Sequence, residues 1–529
     1  MSIYTIGVLI SLVVYMVVGN YAGSKVKDVD DYYVSGRNAP TILIAGTLFA
    51  SMLSTNGFMG DTAWTYTGHI TAMIMINVLC AAGYIFGPMF FGRYIRRMEV
   101  ITMPQYFGDR FNSKRVQSLA GITTIISMVA YLLAVLQGTT LLMQELTGFS
   151  VIVCLMISWV SFTSFTFYSG SSGVILTDTI MFLIFIGATL VAGPFIFREA
   201  GGIANLVPSL LANPNTPEGL LRFHGNLDGG TVYQAMSYMI TIGVVWLVTV
   251  SVSPWQASRN LMAKNEHVTF RSGAIASICT TLFLTFLYLM AISMININPN
   301  IEPTEKVMIW AAFNVMPKIV GVLVLTGIMA AGLSSASTFL SVAGFSATND
   351  VVDFKFKSDK SQLRSSRFIM LGLSFIALLL AYFNPPAIRV ISWFASTIIA
   401  ASWGPVAFAS VWSDKITERG AFLGMLFGFL GQIGAETIMR FTSLSFSGIF
   451  HPFLIGVYLN FLAIYLGSKG QVPTEAEKQY LEKMHVIPES ELVRSDYKRD
   501  KLYAKLLMVA GLATTIIMIV FWAIPVMNS

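Results

Sequence analysis

Apolar runs of membrane-spanning length, separated by short polar stretches, repeat along almost the whole chain. A helix needs roughly 18–20 apolar residues to cross a bilayer. Such runs lie near 3–20, 41–68, 72–92, 118–144, 149–169, 174–197, 233–256, 271–294, 319–348, 367–383, 390–411, 420–440, 448–467 and 506–526. The pattern predicts an all-α integral membrane protein with about 14 transmembrane helices. The first run has no basic region before it and no small-residue cleavage site before Lys25, so it reads as a retained helix and not a signal peptide.

Two of these runs are interrupted by polar residues. In the second, Ser51-Met-Leu-Ser-Thr-Asn-Gly57 puts hydroxyls, an amide and a glycine at membrane depth; in the seventh, Thr249-Val-Ser-Val-Ser-Pro-Trp255 adds a proline. Non-helical backbone is tolerated at that depth only where it is buried or lines a cavity. The interruptions are five helices apart, the offset of two inverted five-helix repeats, and paired broken helices point to a binding site near the midplane.

A second polar feature lies in the ninth run. Gly327-Ile-Met-Ala-Ala-Gly-Leu-Ser-Ser-Ala-Ser-Thr338 carries four hydroxyls. Ala331, Ser334 and Ser335 share one helical face, and Ser334, Ser337 and Thr338 repeat that spacing a turn later. Hydroxyls and exposed carbonyls suit a hard alkali cation, so the stripe fits one or two Na⁺ sites. The same small residues also permit close helix packing.

Composition agrees with a membrane protein: 55% of the chain is hydrophobic and 11% charged, with mean hydropathy +0.69. With the N-terminus and C-terminus both outside, the inner loops fall near 21–40, 93–117, 170–173, 257–270, 349–366, 412–419 and 468–505. Of 33 Lys and Arg residues, only Arg198, Arg222, Lys306, Lys318, Arg389 and Arg440 then lie on the outer side. The net charge of +6 thus reflects membrane orientation, and no nucleic-acid partner is implied. Cys80, Cys154 and Cys279 sit inside spans without disulfide or metal spacing, and the five histidines do not cluster. No phosphate-cradling loop or nucleophile motif is present, so no catalytic residue, no cofactor and no metal beyond sodium is expected, and uphill transport must draw on an ion gradient. Within the spans only Asp61 and Asp178 are well-placed charges. An intramembrane carboxylate is a functional candidate; Asp178 is suited to neutralise Na⁺, while Asp61 reads either as a vestibule residue or as a substrate ligand.

Several of these segments resemble one family. Asp30-Asp-Tyr-Tyr-Val-Ser-Gly-Arg37, Ala50-Ser-Met-Leu-Ser54 and Phe58-Met-Gly60 are similar to the opening of the sodium/solute symporter family, which includes bacterial sodium/proline, sodium/galactose and sialic acid transporters. Tyr168-Ser-Gly-Ser-Ser-Gly-Val-Ile-Leu-Thr-Asp178, Arg259-Asn-Leu-Met-Ala-Lys-Asn265 and Ala331-x-x-Ser334-Ser335 resemble later motifs of that family, in order, between about residues 25 and 440. The resemblance implies a leucine-transporter-type fold with a 5+5 inverted repeat. Residues 1–40 would be a peripheral first helix and inner loop, 41–411 a ten-helix core, and 412–529 three additional helices with a charged cytoplasmic loop at 468–505. It also implies a main sodium site at the Ala50, Leu53 and Ala331 carbonyls with the Ser334 and Ser335 hydroxyls. A second sodium site, present in some relatives, would use Asp178, Ser337 and Thr338. The chain departs from the family at Ser169 and Met181, which bears on that second site.

The expected function is sodium-coupled symport of a small organic solute, a carboxylate or amino-acid-like zwitterion, across a bacterial inner (plasma) membrane. Substrate candidates are Thr55, Asn56, Gly57, Gln137, Trp255 and Trp393, with Asn77, Trp246, Ser253, Thr281 and Ser396 behind them; Trp255 is placed to close over the solute. No Lys or Arg is evident at the midplane, so a bound anion would rely on helix N-termini. The alternatives are a proton-coupled or uncoupled carrier of a neutral solute such as a sugar, and a symporter-like membrane sensor. The partners are Na⁺, the solute and the bilayer; the sequence does not set the oligomeric state.

Overall fold

The computed structural model describes residues 2–24, 28–222, 227, 231–352, 358–384, 387–444 and 446–527. Among them the architecture is helical throughout, with one isolated bridge between Ala39 and Ala263. The principal helices are α1 (Ile3–Gly23), α2 (Thr41–Met52), α3 (Ile70–Gly87), α4 (Lys114–Thr147), α5 (Val151–Glu199), α6 (Val232–Val252), α7 (Pro254–Met262), α8 (Glu266–Ile297), α9 (Lys318–Ser346), α10 (Asp359–Phe383), α11 (Ile388–Trp412), α12 (Glu418–Phe441), α13 (Pro452–Ser468) and α14 (Arg494–Met518).

By length and composition eleven helical runs suffice to cross a membrane, against the fourteen expected from the sequence. The difference lies at the interruptions and junctions. α2 stops at Met52, and the chain resumes as one apolar run over Asn56–Arg96, which leaves Thr41–Met52 too short to span alone. Pro452–Ser468 is likewise a short apolar helix, and Val151–Phe167 is the first part of the long α5. Residues 170–173, expected as an inner loop, are helical within α5, and the side chains at 168–172, Ser169 included, lie outside the described residues.

Both interruptions are present and have local causes. At the first, the Ser54 hydroxyl accepts the Asn56 N–H at 3.1 Å and turns the chain out of the α2 ladder. The Asn56–Asp61 segment that follows is wider than an α-helix, with hydrogen bonds spanning five residues. At the second, Ser253 is extended (φ −62°, ψ 149°) and Pro254 opens α7, where its missing N–H costs no hydrogen bond.

The core sits where α2, α4, α8 and α9 cross, and small residues set their spacing. Thr55 wedges between α4 and α9; a Cβ on Gly138 would come within 2.6 Å of its Cβ, and one on Gly332 within 3.0 Å of its methyl. α7 corrects the expectation of an inner loop at 257–270. Its residues 254–257 and 259–262 are buried, and Ala39 N–H and Lys264 N–H exchange bonds with Met262 and Ala39 carbonyls at 3.1 Å each. Gln256, Arg259 and Asn260 give the segment a loop-like composition, yet it is a buried half-helix: Gln256 reaches α2, Arg259 reaches α9, and Asn260 packs on Gly92.

Candidate functional site

Because α2 ends at Met52, the carbonyls of its last turn have no partner further along the helix and are free to accept bonds from elsewhere. α9 crosses at this point. Ser334 Oγ donates to the Ala50 carbonyl at 3.1 Å and also lies 3.1 Å from the Ala331 carbonyl; Ser335 Oγ reaches the Ser51 carbonyl at 3.3 Å. Leu53, in the first turn of the break, is 3% exposed, and Ala50, Ala331, Ser334 and Ser335 are fully buried. Two hydroxyls and the carbonyls of two different helices therefore converge in one dry spot, an all-oxygen set with no carboxylate. Such a set fits an alkali cation: its lone pairs serve the ion once the hydroxyl protons turn away from the carbonyls.

The residues expected to hold a second sodium are also brought together, but with a cation of the protein's own. Arg259, on α7, donates from Nη2 to Thr338 Oγ1 at 2.5 Å and lies 3.7 Å from Asp178 Oδ2. Thr47 Oγ1 donates to the same carboxylate oxygen at 2.6 Å, and Asp178 Oδ1 and Arg259 Nε have no partner among the described residues. Ser337 turns back to the Ser334 carbonyl at 2.9 Å. A buried arginine beside Asp178 was not expected from the sequence. Arg259 is 2% exposed, and the sequence hid it because the polar α7 reads as a loop.

Above the main site a cavity of about 30 Å³ opens between the two broken helices. Of the expected substrate residues, Asn56, Gly57 and Trp393 line it, together with Asn77 and Trp246. Three others are placed elsewhere. Thr55 faces the α4–α9 seam. Gln137 ties α4 to the approach of α11, accepting Ala387 N–H at 3.0 Å. Trp255 is turned away, packed on Tyr131 at 4.8 Å and Phe339 at 5.8 Å between ring centres, so it does not close over the cavity. Of the further candidates, Ser396 is occupied by a short hydrogen bond with the Tyr131 hydroxyl. The lining that sequence reasoning missed comes from two helical faces: Met73, Ile76 and Cys80 of α3, which flank Asn77, and Thr280, Leu284 and Tyr288 of α8. Both sets follow i, i+3, i+4 or i, i+4, i+8 spacing, a signal lost among equally apolar neighbours.

Asp61 also lines this cavity, 9% exposed, with Asn56 Nδ2 donating to its Oδ1 at 3.1 Å. Beside it Arg389 is stacked over Trp64 and Trp393, its guanidinium carbon 4.5 and 4.7 Å from the ring centres. Trp64 and Arg389 also border a vestibule of about 340 Å³, so this clamp separates vestibule from cavity. Arg259 and Thr338 border a separate small cavity.

Comparison with known proteins agrees with this arrangement. The profile of the "Sodium:solute symporter family" matches residues 32–428. The chain is 23% identical to the sodium/pantothenate symporter of Haemophilus influenzae, over 88% of this chain and 96% of that protein. It is 22% identical to the sodium/proline symporter of Escherichia coli, over 91% and 96%. A solved structure of a Na⁺-coupled sialic acid symporter, in a substrate-bound outward-open state, superposes with a TM-score of 0.75 at 18% identity, covering 89% of this chain and 99% of that one. The inverted-repeat fold expected from the paired interruptions is therefore the fold observed, and with most of its length matched, this multi-pass membrane chain belongs to the sodium:solute symporter family.

Proposed function

We propose that the protein uses the entry of Na⁺ to carry a small organic solute, a carboxylate or an amino-acid-like zwitterion, inward across a bacterial inner membrane by alternating access. One observation carries the coupling: the freed carbonyls of α2 and the Ser334 and Ser335 hydroxyls of α9 meet in a single buried spot. The break that frees those carbonyls also shapes the solute cavity, through Asn56 and Gly57. An ion there holds α2 against α9 and so favours the conformation that binds solute; by linkage, solute raises the affinity for Na⁺ equally.

The main position takes one Na⁺, bound by the Ala50, Leu53 and Ala331 carbonyls and the two serines. A second Na⁺ at Asp178, Ser337 and Thr338 binds in exchange for the Arg259 guanidinium, since ion and guanidinium would use the same oxygens. The Lys- and Arg-rich loops face the cytoplasm, with both termini outside. The names of the relatives cover a carboxylate (pantothenate) and an amino acid (proline), and at 22–23% identity they do not choose between them.

The test is Na⁺-dependent binding and uptake in reconstituted vesicles. Ser334→Ala and Ser335→Ala each remove one ligand oxygen and are expected to raise the half-saturating Na⁺ concentration about tenfold, near 1.4 kcal/mol. Uptake equally fast in potassium and in sodium buffer would exclude the reading.

A further inference from the structure

The polar groups of the cavity are unevenly matched, and this restricts what fits. Among the described lining residues Asp61 is the charged one and no basic side chain is present. Asn56 spends its amide N–H on Asp61, which fixes its orientation and leaves Asn56 Oδ1 without a partner. Asn77 Nδ2 reaches the Thr281 carbonyl at 3.5 Å, and Asn77 Oδ1 is also without a partner. The lining thus offers a carboxylate, two unused carbonyl oxygens and the unpaired Thr280 hydroxyl, while each amide nitrogen has one acceptor; its one charged group is negative. Trp246, Tyr288 and Trp393 add aromatic surface.

Among the described residues Asp61 has no cation in contact. Arg389 attracts it, but no ion pair within 4.0 Å joins them, and Arg389 is held by the two tryptophans instead. A buried carboxylate with one hydrogen bond and no contacting counter-ion is costly in an apolar setting. A ligand that brings a positive charge and N–H donors offsets that cost; a bare carboxylate adds a like charge to it. Aromatic walls around a carboxylate favour the same ligand, because ring faces attract cations.

We propose that Asp61 receives the ammonium group of the carried solute, so that the solute is an amine, whether a zwitterionic amino acid or a simple organic cation. This rests on the proposed symport and narrows it. Of the two solute classes above it keeps the zwitterion and removes the amine-free carboxylate. The ammonium nitrogen binds between the Asp61 carboxylate and the Asn56 and Asn77 carbonyl oxygens, and the apolar part of the solute lies toward Leu284 and Trp246. Asp61 thus acts as a specificity-determining residue, four positions beyond the glycine of the break and outside the sodium oxygens.

The experiment is a thermal-shift and radioligand competition panel on the purified full-length protein, in Na⁺ and in K⁺. The probes are matched solutes: alanine, proline and ethylamine as amines, propionate as the amine-free carboxylate and galactose as a neutral polyol. Amines are expected to stabilise the protein in Na⁺, with propionate and galactose at least tenfold weaker. Alanine and proline acting without ethylamine identify the zwitterion; ethylamine acting as well identifies the cation alone as sufficient. Asp61→Asn is expected to weaken amine binding at least tenfold and Asp61→Glu less. The stabilisation by Na⁺ alone, measured on the same samples, should persist in both variants and shows that they fold. Propionate or galactose binding as tightly as the amines, no amine binding, or amine binding indifferent to Asp61→Asn overturns the proposal. A Na⁺ shift that survives while amine binding fails sinks only this inference; loss of the Na⁺ shift in the parent protein sinks the symport reading itself.

Discussion

A single side chain, Arg259, changes how the ion sites read. Its guanidinium and a bound Na⁺ would compete for Asp178 and Thr338. Truncating one partner of a buried pair leaves the other charge uncompensated, at about 3–5 kcal/mol. Arg259→Met is therefore expected either to recruit Na⁺ to Asp178 or to lose stability. If it folds, the Na⁺ dependence of uptake should become steeper, with a Hill coefficient above that of the parent, and Asp178→Asn added to it should remove the extra steepness. An Arg259→Met protein that folds with unchanged Na⁺ dependence would count against the exchange. At this scale the shared face of Ala331, Ser334 and Ser335 was legible in their spacing and the break they meet was legible in Ser-Thr-Asn-Gly, whereas Ala50 and Leu53 entered through the family resemblance. The placing of Trp255 and Gln137 was not legible. Sequence proximity to a break does not fix which way a side chain points, and packing on Tyr131 and Phe339 decided Trp255.

Among the elements, the two interruptions were readable from Ser-Thr-Asn-Gly and Ser-Pro, whereas α7 was mistaken for a loop since its polar residues serve buried partners. The charged stretch after α13 also proves to be structure. Helix Glu475–His485 and the start of α14 form a strap across one end of the core. Arg271 of α8 pairs with Asp496 at 2.8 Å and Asp500 at 2.6 Å, and His267 contacts Asp500 and the Glu491 carbonyl. Arg97 donates to the Met484 carbonyl at 2.9 Å, and His485 Nε2 to the Val411 carbonyl at the end of α11 at 2.9 Å. These bonds tie the strap to α8 and α11. Asp496→Ala with Asp500→Ala is expected to speed amide exchange over 475–505 about tenfold or more while leaving Na⁺ affinity intact; unchanged protection would show that the strap is held by other contacts. The seam of α3 and α8 is tighter still. A Cβ on Gly273 would lie 2.3 Å from the Tyr84 carbonyl oxygen, so Gly273→Val should force the helices apart and lower the melting temperature.

For the molecule as a whole, the charge pattern and the site together set the energetics. One Na⁺ moving inward through 100 mV releases about 2.3 kcal/mol, enough for about fifty-fold accumulation of an uncharged solute. Uptake into vesicles loaded with potassium should accelerate when valinomycin makes the interior negative. Indifference to that potential would exclude net charge movement. The polytopic, all-helical architecture followed from hydropathy, although fourteen spans were expected and eleven described helical runs are long enough to cross; the pairing of broken helices followed from the polar interruptions five helices apart. The contents of the cavity did not, since the α3 and α8 faces that line it are as apolar as the faces that pack elsewhere.

The clamp of Arg389 between Trp64 and Trp393 has an electrical consequence. It stands at the boundary of vestibule and cavity, at the first turn of α11, where Gly60 packs against the Arg389 backbone. Admitting a solute from the vestibule requires this boundary to part, and the guanidinium then shifts within the membrane field. A carrier built this way passes a transient capacitive current after a voltage step even when no solute is present. The charge in that transient should shrink in Arg389→Gln, while the steady current per solute carried stays the same.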